Sequence, residues 1–236
     1  MIDNIVGFRW FCDVWRYVSE ELESFEVKRA RAETCVALLE TQYPDARPGL
    51  SFENAYELLV ATVLSAQTTD AKVNTVTPAL FQRWPDSHAL ADASIPELEE
   101  AVRPLGLFRR RARSLQALAR HLVSEHEGEV PGTREELVEL SGVGRKTANV
   151  VLGNWFGAQE ISVDTHVARV TRRLGWVDSK SPLAIERELW ELLPDAHWTV
   201  LSHQLIQLGR QVCHARKPLC EQCVLAALCP SFGNYA

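Results

Sequence analysis

The 236-residue chain has no run of about 18 apolar residues, so no segment is expected to cross a membrane as a helix. Asp3, Arg9, Asp13 and Arg16 interrupt its aromatic opening, so the basic start and unbroken apolar stretch of an export signal are also missing. A cytoplasmic protein is the expectation. There is no low-complexity linker and no clear internal repeat. Period-2 alternation, the mark of half-buried strands, is absent as well. Lysines are scarce, at five, and basic residues do not exceed acidic ones, since the formal net charge is −6. Taken alone, that balance argues against a nucleic-acid partner. What is present is ordinary: 46% hydrophobic and 24% charged residues exclude a disordered chain, a collagen and a coiled coil. At roughly 150 residues per domain the length fits one large domain or two small ones.

The distribution of charge reverses the first impression. Acids cluster at 20–40, 92–100, 125–139 and 186–195, and between them lie acid-free basic stretches. Residues 101–124 hold Arg103, Arg109, Arg110, Arg111, Arg113 and Arg120. Residues 140–159 hold Arg145 and Lys146, and 165–177 hold Arg169, Arg172 and Arg173. Residues 196–220 hold Arg210, Arg216 and Lys217. If the fold brings these together they form one basic face for phosphates; otherwise they are solvated helix surfaces.

The apolar pattern reads helical almost throughout. Residues 53–66 are apolar nearly all round and predict a central buried helix. Ser94 with Glu97 has capping-box spacing and predicts a short helix to about Val102, with Gly106 as a breaker. From Arg109 to about His126, Leu115, Leu118, Ala119 and Leu122 share one face, and Arg109, Arg113, Gln116 and Arg120 form a polar one. Thr133 with Glu136 predicts a helix ending at Ser141, followed by another from Arg145 to Phe156. Ser181-Pro182 opens a further helix, and Asp195 is a candidate start for the last, which ends near Gly209.

Gly142 and Gly144, between two of these helices, allow a tight turn and a close backbone approach to a ligand. The helix that follows offers N–H groups suited to a phosphate. A nucleotide-binding P-loop needs Gly directly before its Lys, and Arg145 stands there instead. Lys146 falls in the first turn, where the helix dipole and Arg145 disfavour an ammonium. That suits an amine nucleophile, but for the lysine taken alone a plain phosphate contact is the better reading. Asp164 is a good helix N-cap and also a carboxylate suitably held to assist a lysine.

Four of the six cysteines fall near the end in the pattern C-x6-C-x2-C-x5-C: Cys213, Cys220, Cys223 and Cys229. Such close spacing predicts a metal or cluster site, with structural zinc and iron–sulfur both open. Cys12 and Cys35 have no partner at such spacing and read as small buried residues.

Taken together, LSAQTTD at 64–70, GL at 106–107, ELSGVGRKTANVV at 139–151, VDTHVARV at 163–170 and the cysteine pattern make the chain resemble the endonuclease III family of helix-hairpin-helix DNA glycosylases. The likeness runs from about residue 30 to near the C-terminus. It implies an all-α, two-lobed fold with a C-terminal [4Fe–4S] cluster loop. The lobes would be a helical domain at 48–158, and a cluster domain combining 1–47 with 159–236.

The family's activity is removal of oxidised pyrimidines from duplex DNA, followed by cleavage on the 3′ side of the abasic site. By the resemblance, Lys146 is the Schiff-base nucleophile and Asp164 its assisting carboxylate, in a cleft between them. Cys213, Cys220, Cys223 and Cys229 hold the cluster. Gln67 and Leu107 fill the hole left by the flipped nucleotide. Gly142, Val143, Gly144, Arg145, His166, Arg216 and Lys217 contact DNA. A monomer is expected, acting on double-stranded DNA with damaged pyrimidines or abasic sites, without a membrane partner. Lys146 argues against the adenine and mismatch-thymine glycosylases of the superfamily, which lack that lysine. The basic run Phe108-Arg109-Arg110-Arg111 and the N-terminal FRWFCDVWRYV stretch depart from the family pattern. The remaining alternatives are a glycosylase with a narrow lesion range or weak lyase step, a non-catalytic DNA-binding module with a structural metal, and an electron-transfer protein.

Overall fold

The computed structural model describes residues 23–234 apart from residue 195. The FRWFCDVWRYV stretch, Cys12 and the proposed helix start at Asp195 lie outside the described residues. Side-chain caps mark where half of the described α-helices begin, by giving a partner to N–H groups that the first turn leaves over. Ser24 caps α1 (Phe25–Gln42) through the Val27 N–H, and Asn54 caps α2 (Ala55–Leu64) through Glu57. Thr69 caps α3 (Asp70–Asn74) through Lys72. After α4 (Thr77–Arg83), Asp86 caps α5 (Ser87–Asp92) through Ala89.

Ser94 precedes α6 (Ile95–Val102) but does not cap it in the expected reciprocal way. Its hydroxyl donates to the Glu97 carboxylate at 2.6 Å, and that carboxylate is also drawn outward by Arg83. One 3-10 turn (Arg103–Leu105) and Gly106 lead into α7 (Phe108–His126). Thr133 caps α8 (Arg134–Glu139) through Glu136, and Gly144 precedes α9 (Arg145–Asn154). Asp164 caps α10 (Thr165–Arg173), Ser181 precedes α11 (Pro182–Leu192), and His197 precedes α12 (Trp198–Gln211). No strand occurs among the described residues. The fold class is therefore all-α.

The chain divides into two units. Pro48–Ser162 forms one, and the described residues up to Arg47 join Val163 onward in the other. In the first, α2 is central: Leu58, Leu59, Val60, Ala61 and Leu64 are all 0% exposed, as expected for a helix that is apolar all round. Against it lie α7 and α9. The α7 stripe of Leu115, Leu118, Ala119 and Leu122 is buried as its periodicity predicts.

Two expectations need correction here. Gln116 does not lie on the solvent face: it is buried, and its Nε2 donates to the Ala93 carbonyl at 2.6 Å. The helix expected to run to Ser141 stops at Glu139, because Leu140 adopts an extended conformation and turns into the core.

In the second unit, α1 packs on α11 and α12, and α10 packs on α12. Trp198 is fully buried, donates from Nε1 to the Leu193 carbonyl at 3.0 Å and meets Trp190 at a ring separation of 6.1 Å. Arg31, on the buried face of α1, donates to the carbonyls of Leu174 (2.7 Å) and Leu228 (3.3 Å) and pairs with Glu23. This guanidinium ties α1 to the end of α10 and to the cysteine loop.

Candidate active site and cysteine loop

The hairpin between α8 and α9 is built by Leu140 and Val143. Both are buried, and the Val143 N–H donates to the Leu140 carbonyl at 3.1 Å. Val143 thus turns its side chain inward and anchors the turn, leaving its backbone on the hairpin.

The two glycines divide the work. Gly142 has φ +82°, a left-handed backbone that favours glycine, although an added Cβ would make only ordinary contact with Val63 Cγ1 at 3.4 Å. Gly144 has φ −102° and ψ 175°, extended backbone that any residue adopts, and nothing lies within 4 Å of its Cβ position. Glycine at 144 therefore answers no demand from inside the protein and leaves bare backbone facing outward. Gly142→Ala is expected to cost about 1–2 kcal/mol through its left-handed conformation. Chemical denaturation of the purified variant checks this, with Gly144→Ala as a control of near-unchanged stability.

Arg145 and Lys146 follow in the first turn of α9, and both are exposed. One turn later Asn149 is buried, with Oδ1 accepting from Arg134 Nε at 3.1 Å and Nδ2 donating to the Ile161 carbonyl at 2.7 Å. Arg134 also pairs with Glu160. This network fixes α9 against α8 and the segment after it, and so fixes where Lys146 begins. Sequence reasoning passed over Asn149, although a polar residue directly after Ala148 and two before Val151 already placed it among inward positions.

Gln67 and Leu107 share an uncommon feature. Both are exposed, Leu107 at 57%, and both are non-glycine residues with positive φ, 61° and 48°. Gly106, with φ 71° and ψ 170°, occupies a region that only glycine adopts readily, which explains the glycine before Leu107. Of the basic residues on α7, Arg109, Arg110, Arg113 and Arg120 are exposed and Arg111 is not. Arg103 and Arg109 lie over the Phe108 ring, at 4.4 and 5.6 Å from its centre.

In the other unit Asp164 is half-buried, and its Oδ1 accepts from the N–H groups of His166 (2.8 Å) and Val167 (2.9 Å). The carboxylate is thereby fixed at the positive end of α10. His166 lies against α12 at Gly209, where an added Cβ would come within 2.9 Å of its ring. Burial there holds the His166 imidazole below its ordinary range. Arg169 Nη2 stands 3.0 Å from His166 Nδ1, and since a guanidinium only donates, Nδ1 is the acceptor. Arg169 also donates to the carbonyls of Gly209 and Cys213, binding α10 to α12 and to the start of the cysteine loop.

Cys213, Cys220, Cys223 and Cys229 line one cavity, and none of them is in a disulfide. Arg173 donates to the His214 (2.6 Å) and Ala215 (3.0 Å) carbonyls and approaches Cys213 Sγ at 3.3 Å, holding this loop from beneath. The thiols surround a space rather than converge on one point. Among the described residues no group of three or more His, Cys, Asp or Glu is placed to hold a single ion. A cubane takes one thiolate at each iron, so four sulfurs around a cavity fit a cluster better than one zinc. Burial pushes the Cys229 thiol up to about 11 and raises Cys223 as well, so binding must drive their deprotonation. Arg216 and Lys217 are exposed in the same loop, Lys217 with φ 52°. Cys35 is fully buried on α1, and burial raises its thiol to about 12, as befits an inert core residue.

Comparison with known proteins agrees with this geometry. Residues 60–195 match the family model described as HhH-GPD superfamily base excision DNA repair protein, and residues 213–229 match the iron–sulfur binding domain of endonuclease III. Endonuclease III of Synechocystis sp. is 48% identical over 91% of this chain and 98% of its own length. That of Escherichia coli is 37% identical over 86% and 95%. A solved structure described as a non-covalent endonuclease III–DNA complex superposes with a TM-score of 0.83 at 42% identity, covering 87% of this chain and 97% of that one. The cysteine loop is accordingly the seat of a [4Fe–4S] cluster. With hairpin, capped aspartate and cysteine loop all matched along most of its length, the chain belongs to the endonuclease III family of base-excision DNA repair enzymes.

Proposed function

We propose that the chain is a bifunctional DNA glycosylase and abasic-site lyase that removes oxidised pyrimidines from duplex DNA. The observation that carries this reading is Lys146, exposed in the first turn of α9 beside the bare backbone of Gly144. Phosphate oxygens can approach that backbone closely, which brings the sugar within reach of the lysine. The neutral amine of Lys146 attacks C1′ of the turned-out nucleotide, and the damaged base leaves with the electron pair of its glycosidic bond. The carboxylate of Asp164 offsets the positive charge that builds on the sugar. Ring opening gives a Schiff base, and loss of a C2′ proton expels the 3′ phosphate.

Gln67 and Leu107 occupy the vacated space in the stack. Arg145 and the hairpin backbone hold phosphates on one side, with His166, Arg216 and Lys217 contributing further DNA contacts. The protein acts as a monomer. The cluster shapes the loop that carries Arg216 and Lys217 and takes no part in the chemistry.

Borohydride tests the reading, because it reduces a Schiff base to a stable amine. The chain is expected to form a covalent adduct with a duplex carrying one oxidised pyrimidine, and with one carrying a plain abasic site. Base release without any adduct would make the protein a glycosylase only. Neither base release nor adduct on either duplex would overturn the proposal.

A further inference from the structure

Arg111 is the residue of the α7 basic run that is turned inward, 8% exposed. Its guanidinium donates to carbonyls from two separate turns. Nη1 reaches the Leu64 carbonyl at 2.5 Å, Nη2 that of Ala66 at 2.8 Å, and Nε that of Gly106 at 2.9 Å. The Ala66 carbonyl belongs to the peptide that ends in the Gln67 N–H, and the Gly106 carbonyl to the peptide that ends in the Leu107 N–H. One planar cation thus fixes the peptide plane immediately before each of the two strained, exposed residues. Rotation about φ of Gln67 or Leu107 turns the residue against a plane that Arg111 holds still. The Arg111 N–H also donates to the Leu107 carbonyl at 3.0 Å, so the clamp rides on the first turn of α7 itself.

Non-glycine residues keep a left-handed conformation only where the surroundings over-determine it. Here the surroundings are the fork of a single guanidinium. No lysine matches that geometry, since its donors radiate from one point and cannot span two turns in a plane. Burial lowers the Arg111 pKa, but a guanidinium stays charged at neutral pH, so the charge-assisted bonds persist.

We propose that Arg111 is a positioning residue that sets the spacing of the Gln67 and Leu107 turns, so that both side chains enter the base stack as one preformed wedge. This rests on the reading that Gln67 and Leu107 fill the space left by the flipped nucleotide. Preforming the wedge removes the cost of ordering two turns at the moment of binding.

The test is a double-mutant cycle on the full chain with its cluster. Arg111→Met, the pair Gln67→Ala/Leu107→Ala, and all three together are compared with the parent. Each is measured for affinity toward a duplex with a non-cleavable abasic-site analogue, and for the fluorescence of a 2-aminopurine placed opposite it. The wedge pair is expected to weaken binding by about tenfold or more and to lose the fluorescence change. Arg111→Met is expected to cost about tenfold in the parent but less than about twofold once the wedge is truncated.

An equal loss in both backgrounds would overturn the clamp, because a merely structural arginine acts whether or not the wedge is there. A wedge pair that binds and reports like the parent would overturn the wedge reading and the clamp with it, whereas parent-like adduct formation leaves the lyase reading standing in either case. If Arg111→Met does not fold, Arg111→Lys runs through the same cycle. It keeps charge and stem, and the expected coupling is smaller but of the same sign.

Discussion

Lys146→Ala is expected to give no borohydride-trapped adduct and to slow strand cleavage at an abasic site by at least about 10³-fold, the scale seen when a covalent nucleophile is removed. Folding is expected to survive. Lys146 is exposed, the turn before it is held by Leu140 and Val143, and α9 is fixed from behind by Asn149. Stability should therefore move by no more than about 0.5 kcal/mol. Lys146→Arg separates the two roles open to this residue. A guanidinium keeps a phosphate contact but supplies no neutral amine at neutral pH. DNA affinity near the parent's with no adduct is the expected outcome for that variant, measured by single-turnover cleavage and titration side by side. Full adduct formation by either variant would place the nucleophile elsewhere.

Cys229→Ala is expected to have the largest effect on structure. Residues 213–229 contain only short 3-10 turns, and Leu225 is the one residue among them that is buried. A segment with so little apolar burial has almost no core of its own. Metal coordination must supply its stability, and structural metal centres contribute on the order of 10 kcal/mol to such loops. With one thiolate gone, iron and sulfide content should fall well below the parent's, and trypsin should cut at Arg216. A variant that retains its iron and resists trypsin would show that three cysteines suffice. Arg31 and Arg173 hold the loop by its carbonyls and by contacts with the sulfurs of Cys213 and Cys229, and those bonds presuppose a loop already in place.

The sequence made the helices and the chemistry-bearing residues readable for physical reasons. Thr133 and Asp164 are capping residues placed before apolar-periodic segments, and the structure uses both as caps. The stripe from Leu115 to Leu122 repeats at helical spacing and is buried. Four closely spaced cysteines admit few uses other than a metal site. The conformations of Gln67 and Leu107 were not readable, because a left-handed glutamine or leucine leaves no local signal. Both are held by bonds from Arg111 to the preceding carbonyl, the one before Gln67 spanning 45 residues of chain. Residue type misled in the same place. Arg111 belongs by type to the basic run, yet it lies four residues before Leu115 and seven before Leu118, on the apolar face. Gln116 was misread for the same reason: its amide found a partner in the Ala93 carbonyl, which only the tertiary fold provides.

The inward arginines change what the chain's charge means to a polyanion. A phosphate backbone releases counterions only to cations that reach it from the surface. Arg31, Arg111 and Arg173 are buried against carbonyl oxygens and behave electrically as parts of the scaffold. On the proposed DNA-binding reading, ion release is left to exposed groups, among which are Arg109, Arg110, Arg113, Arg145 and Arg216. For the proposed function this means that an enzyme with fewer mobile cations than its composition suggests holds DNA less tightly at random sites and is free to move on.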